Sequence, residues 1–265
     1  MCSEFFMKYN AKFVLVLTIL SLCEISTQRH FNLVEVSVNK SKVVSRIHGD
    51  FLSFTLDTSF IRRNLAGFNF SRGAKLARQL TSVYLRLGGT DADYLIFQAE
   101  NPAYTHRELS PNSFQGRPKE AAKFTNFAMT NKQLDLFYQR LIIPSNTNLI
   151  FDLNVLLRTP STGHWNSSNA RHFLNYSSRK GYRMDFELGN KPSSFNHTAH
   201  RWIQPHQLAE DYCSLRHLLN DYPLYRKSLL VGPSVTNVAK RTSFDYLKRY
   251  WFLFNVLKAK KMVRT

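Results

Sequence analysis

Short apolar runs rich in branched residues recur along this chain, and the segments between them carry a helical period; no other feature narrows the choice of fold so far. The runs are LVEVSV (33–38), IHGDFLSFTLD (47–57), VYLRLGG (83–89), NLIFDLNVLL (148–157), MDFELGN (184–190) and SLLVGPSV (228–235), and each reads as a buried strand. Between them Leu134, Phe137, Tyr138 and Leu141 stand at i, i+3, i+4 and i+7, and Ala170, Phe173, Leu174 and Ser177 repeat that spacing in a stretch that stops at Gly181. Leu208, Tyr212, Leu215 and Leu219 form a third stripe behind Pro205, a residue suited to the first turn of a helix. SFDYLKRYWFLFNVLK (243–258) is helical by the same test. Strand, helix, strand, helix predicts a parallel α/β fold with its helices outside.

Residues 98–125 break this rhythm with three prolines, no apolar period and mixed charge, the pattern of an exposed loop or excisable linker. The expected organisation is a leader (1–23), an N-terminal strand with the first strands of the sheet (24–97), the linker (98–125) and a continuation (126–265). A closed eight-stranded α/β barrel fits into about 250 residues, yet only about five βα units follow the first strand here. An open arc leaves unpaired edges, so the chain is expected either to be part of a longer product or to need a partner surface.

Lys8 and Lys12 precede the apolar run FVLVLTILSLC (13–23), which is too short to span a bilayer and has the layout of a signal peptide with cleavage near Cys23. The expected location is secreted and soluble; the alternatives are a lysosomal or membrane-associated protein. N-x-S/T acceptors for glycans occur at Asn39, Asn69, Asn166, Asn175 and Asn196. Cys2 and Cys23 fall in the leader and leave Cys213 alone, so no disulfide closes within the mature chain and packing must hold it. Cys213 reads as an inert thiol.

The formal net charge is +18, and the leader accounts for only one unit of it. Such a field draws polyanions. No helix-turn-helix, zinc-finger or RNA-binding signature is present, so no nucleic acid is expected, and a secreted chain meets sulfated polysaccharide first. His197, His200 and His206 lack a zinc-site spacing and read as surface residues; no metal or cofactor is expected. Lys258, Lys260, Lys261 and Arg264 form a solvated basic tail that could also touch sulfates.

Four phrases, LRLGGTDADYLIF (85–97), LIFDLNVLLRTP (149–160), HWNSSNA (164–170) and FELGNKPSSF (186–195), together resemble the heparanase family, glycoside hydrolase family 79, in one register from about residue 33 to about residue 240. The resemblance implies a TIM-type barrel with a small β-sandwich, to which strand 33–38 would belong, and an endo-β-glucuronidase acting on heparan sulfate with retention of configuration. Retention needs a nucleophilic carboxylate and an acid/base carboxyl about 5–5.5 Å apart. The family carries the acid/base glutamate in the phrase N-E-P at the end of the fourth barrel strand. Here the phrase is Asn190-Lys191-Pro192, and Lys191 takes the proton donor's place. The family's nucleophile lies on a strand beyond the last residue given, so it is expected to be absent as well.

A lysine holds its proton too tightly for general acid work near neutral pH. Glu187 does not replace it: at about 3.3 Å per residue it lies roughly 13 Å below the tip of its strand and reads as a buried structural acid. The resemblance also implies sugar contacts for Asp57, Thr90 and Asn190, all at C-terminal strand ends. Taken without it, Asp57 is a helix cap and Gly88-Gly89-Thr90 an ordinary turn. One cysteine of the family's disulfide falls at Ser177, and its partner's segment, 140–148, has none. Three functions follow as alternatives: a secreted pseudoenzyme that binds heparan sulfate or another sulfated glycosaminoglycan, part of an active full-length enzyme, or a gene remnant that does not fold. Matrix or membrane association would come through proteoglycan.

Overall fold

The computed structural model describes residues 51–80, 83–98, 124–237 and 239–262, with Ser37, Ser45 and Gly49. The leader, all but Ser37 of the strand expected at 33–38, Asn39 and nearly all of the linker lie outside the described residues. The chain divides after Arg46 into two compact units, and every element below belongs to the second, Ile47–Thr265.

Strand β1 (Ser53–Asp57) leads through a short α1 (Ser59–Arg62) to α2 (Phe70–Gln79) and β2 (Tyr84–Gly88). A 3₁₀ turn (Thr90–Tyr94) and β3 (Leu95–Gln98) follow. Beyond the linker, β4 (Phe127–Thr130) enters α3 (Asn131–Phe137), which continues through a π-helical turn (Tyr138–Ile142) into Ile143–Ser145. Then come β5 (Asn148–Leu153), α4 (Ser168–Arg179), β6 (Asp185–Leu188), α5 (Phe195–Thr198), α6 (Pro205–Asn220), β7 (Leu230–Val231) and α7 (Arg241–Met262). The main sheet is parallel throughout, in the order β1-β2-β5-β6-β7, and β3 pairs with β4 in a separate parallel ribbon. The sheet is an open arc rather than a closed barrel, with β1 and β7 at its edges, which is the incomplete TIM-type architecture expected. No helix among the described residues is long and apolar enough to cross a membrane.

Register decides where the core sits. Arg86 lies opposite Ile150 and Asp152 opposite Glu187, so strand alternation turns Arg86, Ile150, Asp152 and Glu187 to the inner face. Leu85, Leu87, Leu149, Phe151, Phe186 and Leu188 face the helices, each at most 2% exposed. Burying a side chain of this kind contributes about 1.5–3 kcal/mol, so cohesion comes from the helix side and the inner face is left free to be polar. The helical stripes meet that layer as their spacing predicts: Leu134, Phe137 and Leu141, then Phe173 and Leu174, then Leu208, Tyr212, Leu215 and Leu219 are all buried. Phe173 stacks on Phe151 at 4.3 Å between centroids, and Tyr225 meets Phe186 edge-on at 5.2 Å.

Local chemistry sets the boundaries. Thr130 and Gln133 form a reciprocal cap on α3: the Gln133 N–H donates to Thr130 Oγ1 and the Thr130 N–H to Gln133 Oε1. After α4, Gly181 takes φ 72, the left-handed stop that glycine supplies. Several strands are shorter than their apolar runs. β5 ends at Leu153 because Asn154 accepts from the Leu156 N–H and donates to the Leu95 carbonyl, pulling the chain off the sheet. β1 starts only at Ser53 and β7 has two residues. The β3–β4 ribbon has no counterpart among the expected strands; β3 takes in Gln98, the first residue of the stretch read as linker, paired with Thr130. Asn169 of α4 closes its outer edge by accepting from the Phe97 N–H and donating to the Phe97 carbonyl.

Ser177 is fully buried and hydrogen-bonded to the Phe173 carbonyl and the Tyr225 hydroxyl. A polar knot nearby ties α3 to the end of α4, where Asp135 accepts from the Tyr176 hydroxyl, the Tyr182 hydroxyl and the Lys180 ammonium.

Candidate functional site

The inner face of the arc carries one guanidinium among three buried carboxylates. Arg86, on β2, donates through Nε and Nη2 to the two oxygens of Glu187 on β6, and through Nη2 to Asp152 Oδ2 on β5 at 3.1 Å. Asp93, from the turn after β2, is the third acid; Asp93, Asp152 and Glu187 are 2%, 1% and 2% exposed. Burial pushes the carboxyls of Asp93 and Asp152 well above the usual range, the field of Glu187 adding to it in both and that of Asp93 in Asp152. For Arg86, burial works against the charge, but its hydrogen bond to Glu187 and the fields of Asp152, Glu187 and Asp93 outweigh it and raise its pKa. Glu187 is buried, as its depth in the strand implied, and paired with Arg86.

The acids fix the backbone where β6 leaves the sheet. Asp152 Oδ1 accepts from the Gly189 N–H and Asp93 Oδ1 from the Asn190 N–H, both at 3.0 Å. Gly189 has φ 85, and a Cβ there would overlap Val155, so only glycine fits. Asn190 is buried, and its Oδ1 accepts from Arg86 Nη2 at 3.1 Å. Lys191 follows at φ 57 with an exposed side chain; its N–H donates to Ser234 Oγ beyond β7 at 2.8 Å.

The structure joins Asn190 to this layer but does not pair it directly with Asp57 or Thr90. Asp57 is exposed at the tip of β1, where its Oδ1 accepts from the Ser59 N–H at 2.8 Å, a local turn contact ahead of α1. Its Oδ2 lies over Gly89, whose φ of 115 and lack of a Cβ make room for it. Thr90 opens the turn that carries Asp93, which links it to Asn190 through one intervening residue. His197, His200 and His206 are all exposed, and among the described residues no group of three or more His, Cys, Asp or Glu could hold a metal ion. Cys213 is buried on α6.

Sequence reasoning missed Arg86, Asp93 and Asp152. A signal was there: VYLRLGG and NLIFDLN each hold one charge, of opposite sign, within an apolar strand, and charges buried in that way must find each other.

The family described as glycosyl hydrolase family 79, N-terminal domain, matches residues 34–262. The chain belongs to glycoside hydrolase family 79. It is similar to a Mus musculus protein named heparanase, 32% identical over 235 residues, covering 77% of this chain and 43% of that one. A second Mus musculus relative, named inactive heparanase-2, is 29% identical over 77% of this chain and 42% of its own length. A Hirudo nipponia relative named hyaluronoglucuronidase is 30% identical over 76% and 44%. The chain therefore spans less than half the length of these relatives.

In this family-79 chain the acid layer has a pH signature. Because Asp93 and Asp152 bind protons more tightly folded than at the ordinary carboxylate pKa of about 4, their contribution to stability is full below that pH and is lost as pH rises through the raised values. Asp93→Asn keeps an oxygen for the Asn190 N–H and removes one ionisation. Thermal midpoints measured from about pH 5 to about pH 8 should fall less for this variant than for the wild type; an equally steep fall would contradict a strained, proton-holding layer.

Proposed function

We propose that this chain is a glycan-binding family-79 protein that grips heparan sulfate, or another sulfated glycosaminoglycan, at the C-terminal ends of its strands and does not cut it. The observation that carries this reading is Lys191, exposed in the loop after β6 in the phrase Asn190-Lys191-Pro192, where the family resemblance puts the proton-donating glutamate. An ammonium is a poor general acid at neutral or acidic pH but a good partner for a carboxylate or sulfate. Asp57, Thr90 and Asn190 would hold hydroxyls around it. The charge of +18 supports a polyanionic ligand, and so do the names heparanase and hyaluronoglucuronidase borne by relatives. That one relative is named inactive supports loss of cleavage within the family.

On this reading the protein is secreted and glycosylated, and it associates with matrix through proteoglycan. Asn69, Asn166, Asn175 and Asn196 are all exposed, and Asn166 sits in a tight turn with its Oδ1 accepting from the Ser168 N–H. Treating the secreted chain with peptide-N-glycosidase should increase its mobility on a denaturing gel; unchanged mobility would refute the glycan assignment.

Retention on immobilised heparin should fall with salt, as screening requires. Lys191→Glu should elute at clearly lower salt and bind a heparin oligosaccharide roughly tenfold or more weakly, the order expected for a lost charge-assisted contact. Unaltered retention in that variant would move binding away from this cleft.

A further inference from the structure

We propose that Arg86 is the positioning residue of the cleft: it locks the Asn190 carboxamide so that Asn190 meets a ligand only as a hydrogen-bond donor. A guanidinium has donors and no acceptor, so the oxygen of the Asn190 carboxamide must face Arg86, and the 3.1 Å contact from Nη2 is to Oδ1. The orientation of this amide thus follows from chemistry. Nδ2 is thereby turned away from Arg86.

The lock is held at several points. Glu187 grips Arg86 through both oxygens and Asp152 through one, so the guanidinium has no freedom to rotate away. Asp93 fixes the Asn190 backbone N–H and Asp152 the Gly189 N–H, so the residue is held at main chain and side chain together. The floor is thus specific about what lies above it: two amide hydrogens, aimed away from Arg86, donate to a ligand oxygen, a hydroxyl or a carboxylate. Lysine in place of Arg86 would keep the charge for the acids but not the fork that reaches Glu187, Asp152 and Asn190 at once.

This inference rests on the glycan-binding reading for its ligand, and the test separates the two. The full chain and its Arg86→Lys, Asn190→Ala and double variants are titrated with a heparin-derived octasaccharide. Each single variant should bind about tenfold more weakly, and the double variant no more weakly than either, because Arg86 acts through Asn190. Losses that add would overturn the proposal. Asn190→Asp, which still accepts from Arg86 but has no hydrogen to give, should fold and lose the same affinity, so the test survives an Arg86→Lys chain that does not fold; wild-type affinity in Asn190→Asp would also overturn it. The side-chain ¹⁵N order parameter of Asn190 in the unliganded protein gives a second readout. It should be as high as the rigid backbone in the wild type and fall in Arg86→Lys, whereas a mobile wild-type carboxamide would sink the proposal. If the wild type binds no octasaccharide, the glycan-binding reading fails and the order parameter alone decides the role of Arg86.

Discussion

One guanidinium among three buried carboxylates is the interaction on which the rest of the inner face depends. Arg86 joins β2 to β5 and β6 through Asp152 and Glu187, strands whose other face is a continuous apolar layer beneath the helices. Charges in such a place are tolerated only when paired and hydrogen-bonded; breaking a buried pair typically costs about 3–5 kcal/mol. The excess of acid over base has a use. Asp93 and Asp152 spend their remaining oxygens on the N–H groups of Asn190 and Gly189, which pins the chain where it leaves β6. Strand, turn and site residue are thus one electrostatic unit.

What that unit presents at its upper rim is a lysine. The loop after β6 is built as though to hold a reacting group in place: Gly189 and Lys191 both adopt left-handed backbone angles, and Ser234 receives the Lys191 N–H. On the proposed reading, the group displayed here is an anion partner, Lys191, where the family resemblance puts a proton donor. An exposed ammonium suits binding of an anion better than proton donation.

The parallel order, the helix-facing stripes and the open arc were legible in the sequence because they follow from periodicity and register, which a single chain carries openly. Leu208, Tyr212, Leu215 and Leu219 reach the core from their spacing alone, and Glu187 was placed as a structural acid by counting residues back from the strand tip. The β3–β4 ribbon was not legible: LIFQ and FAMT are only four residues each, and their pairing spans the linker, so neither shows a period of its own. The early end of β5 depends on two hydrogen bonds of Asn154 that no pattern announces. The phrase Asn190-Lys191-Pro192 drew attention to the end of β6, but Arg86, Asp93 and Asp152 come from three separate segments and become a cluster only when the strands are in register.

The central claim is that this site holds a glycan chain without breaking it. The most direct measurement incubates the purified full chain with heparan sulfate, free of any contaminating lyase or hydrolase, and follows polysaccharide length by size-exclusion chromatography. An unchanged elution profile after prolonged incubation at acidic and neutral pH is expected. Progressive shortening of the polysaccharide would contradict it.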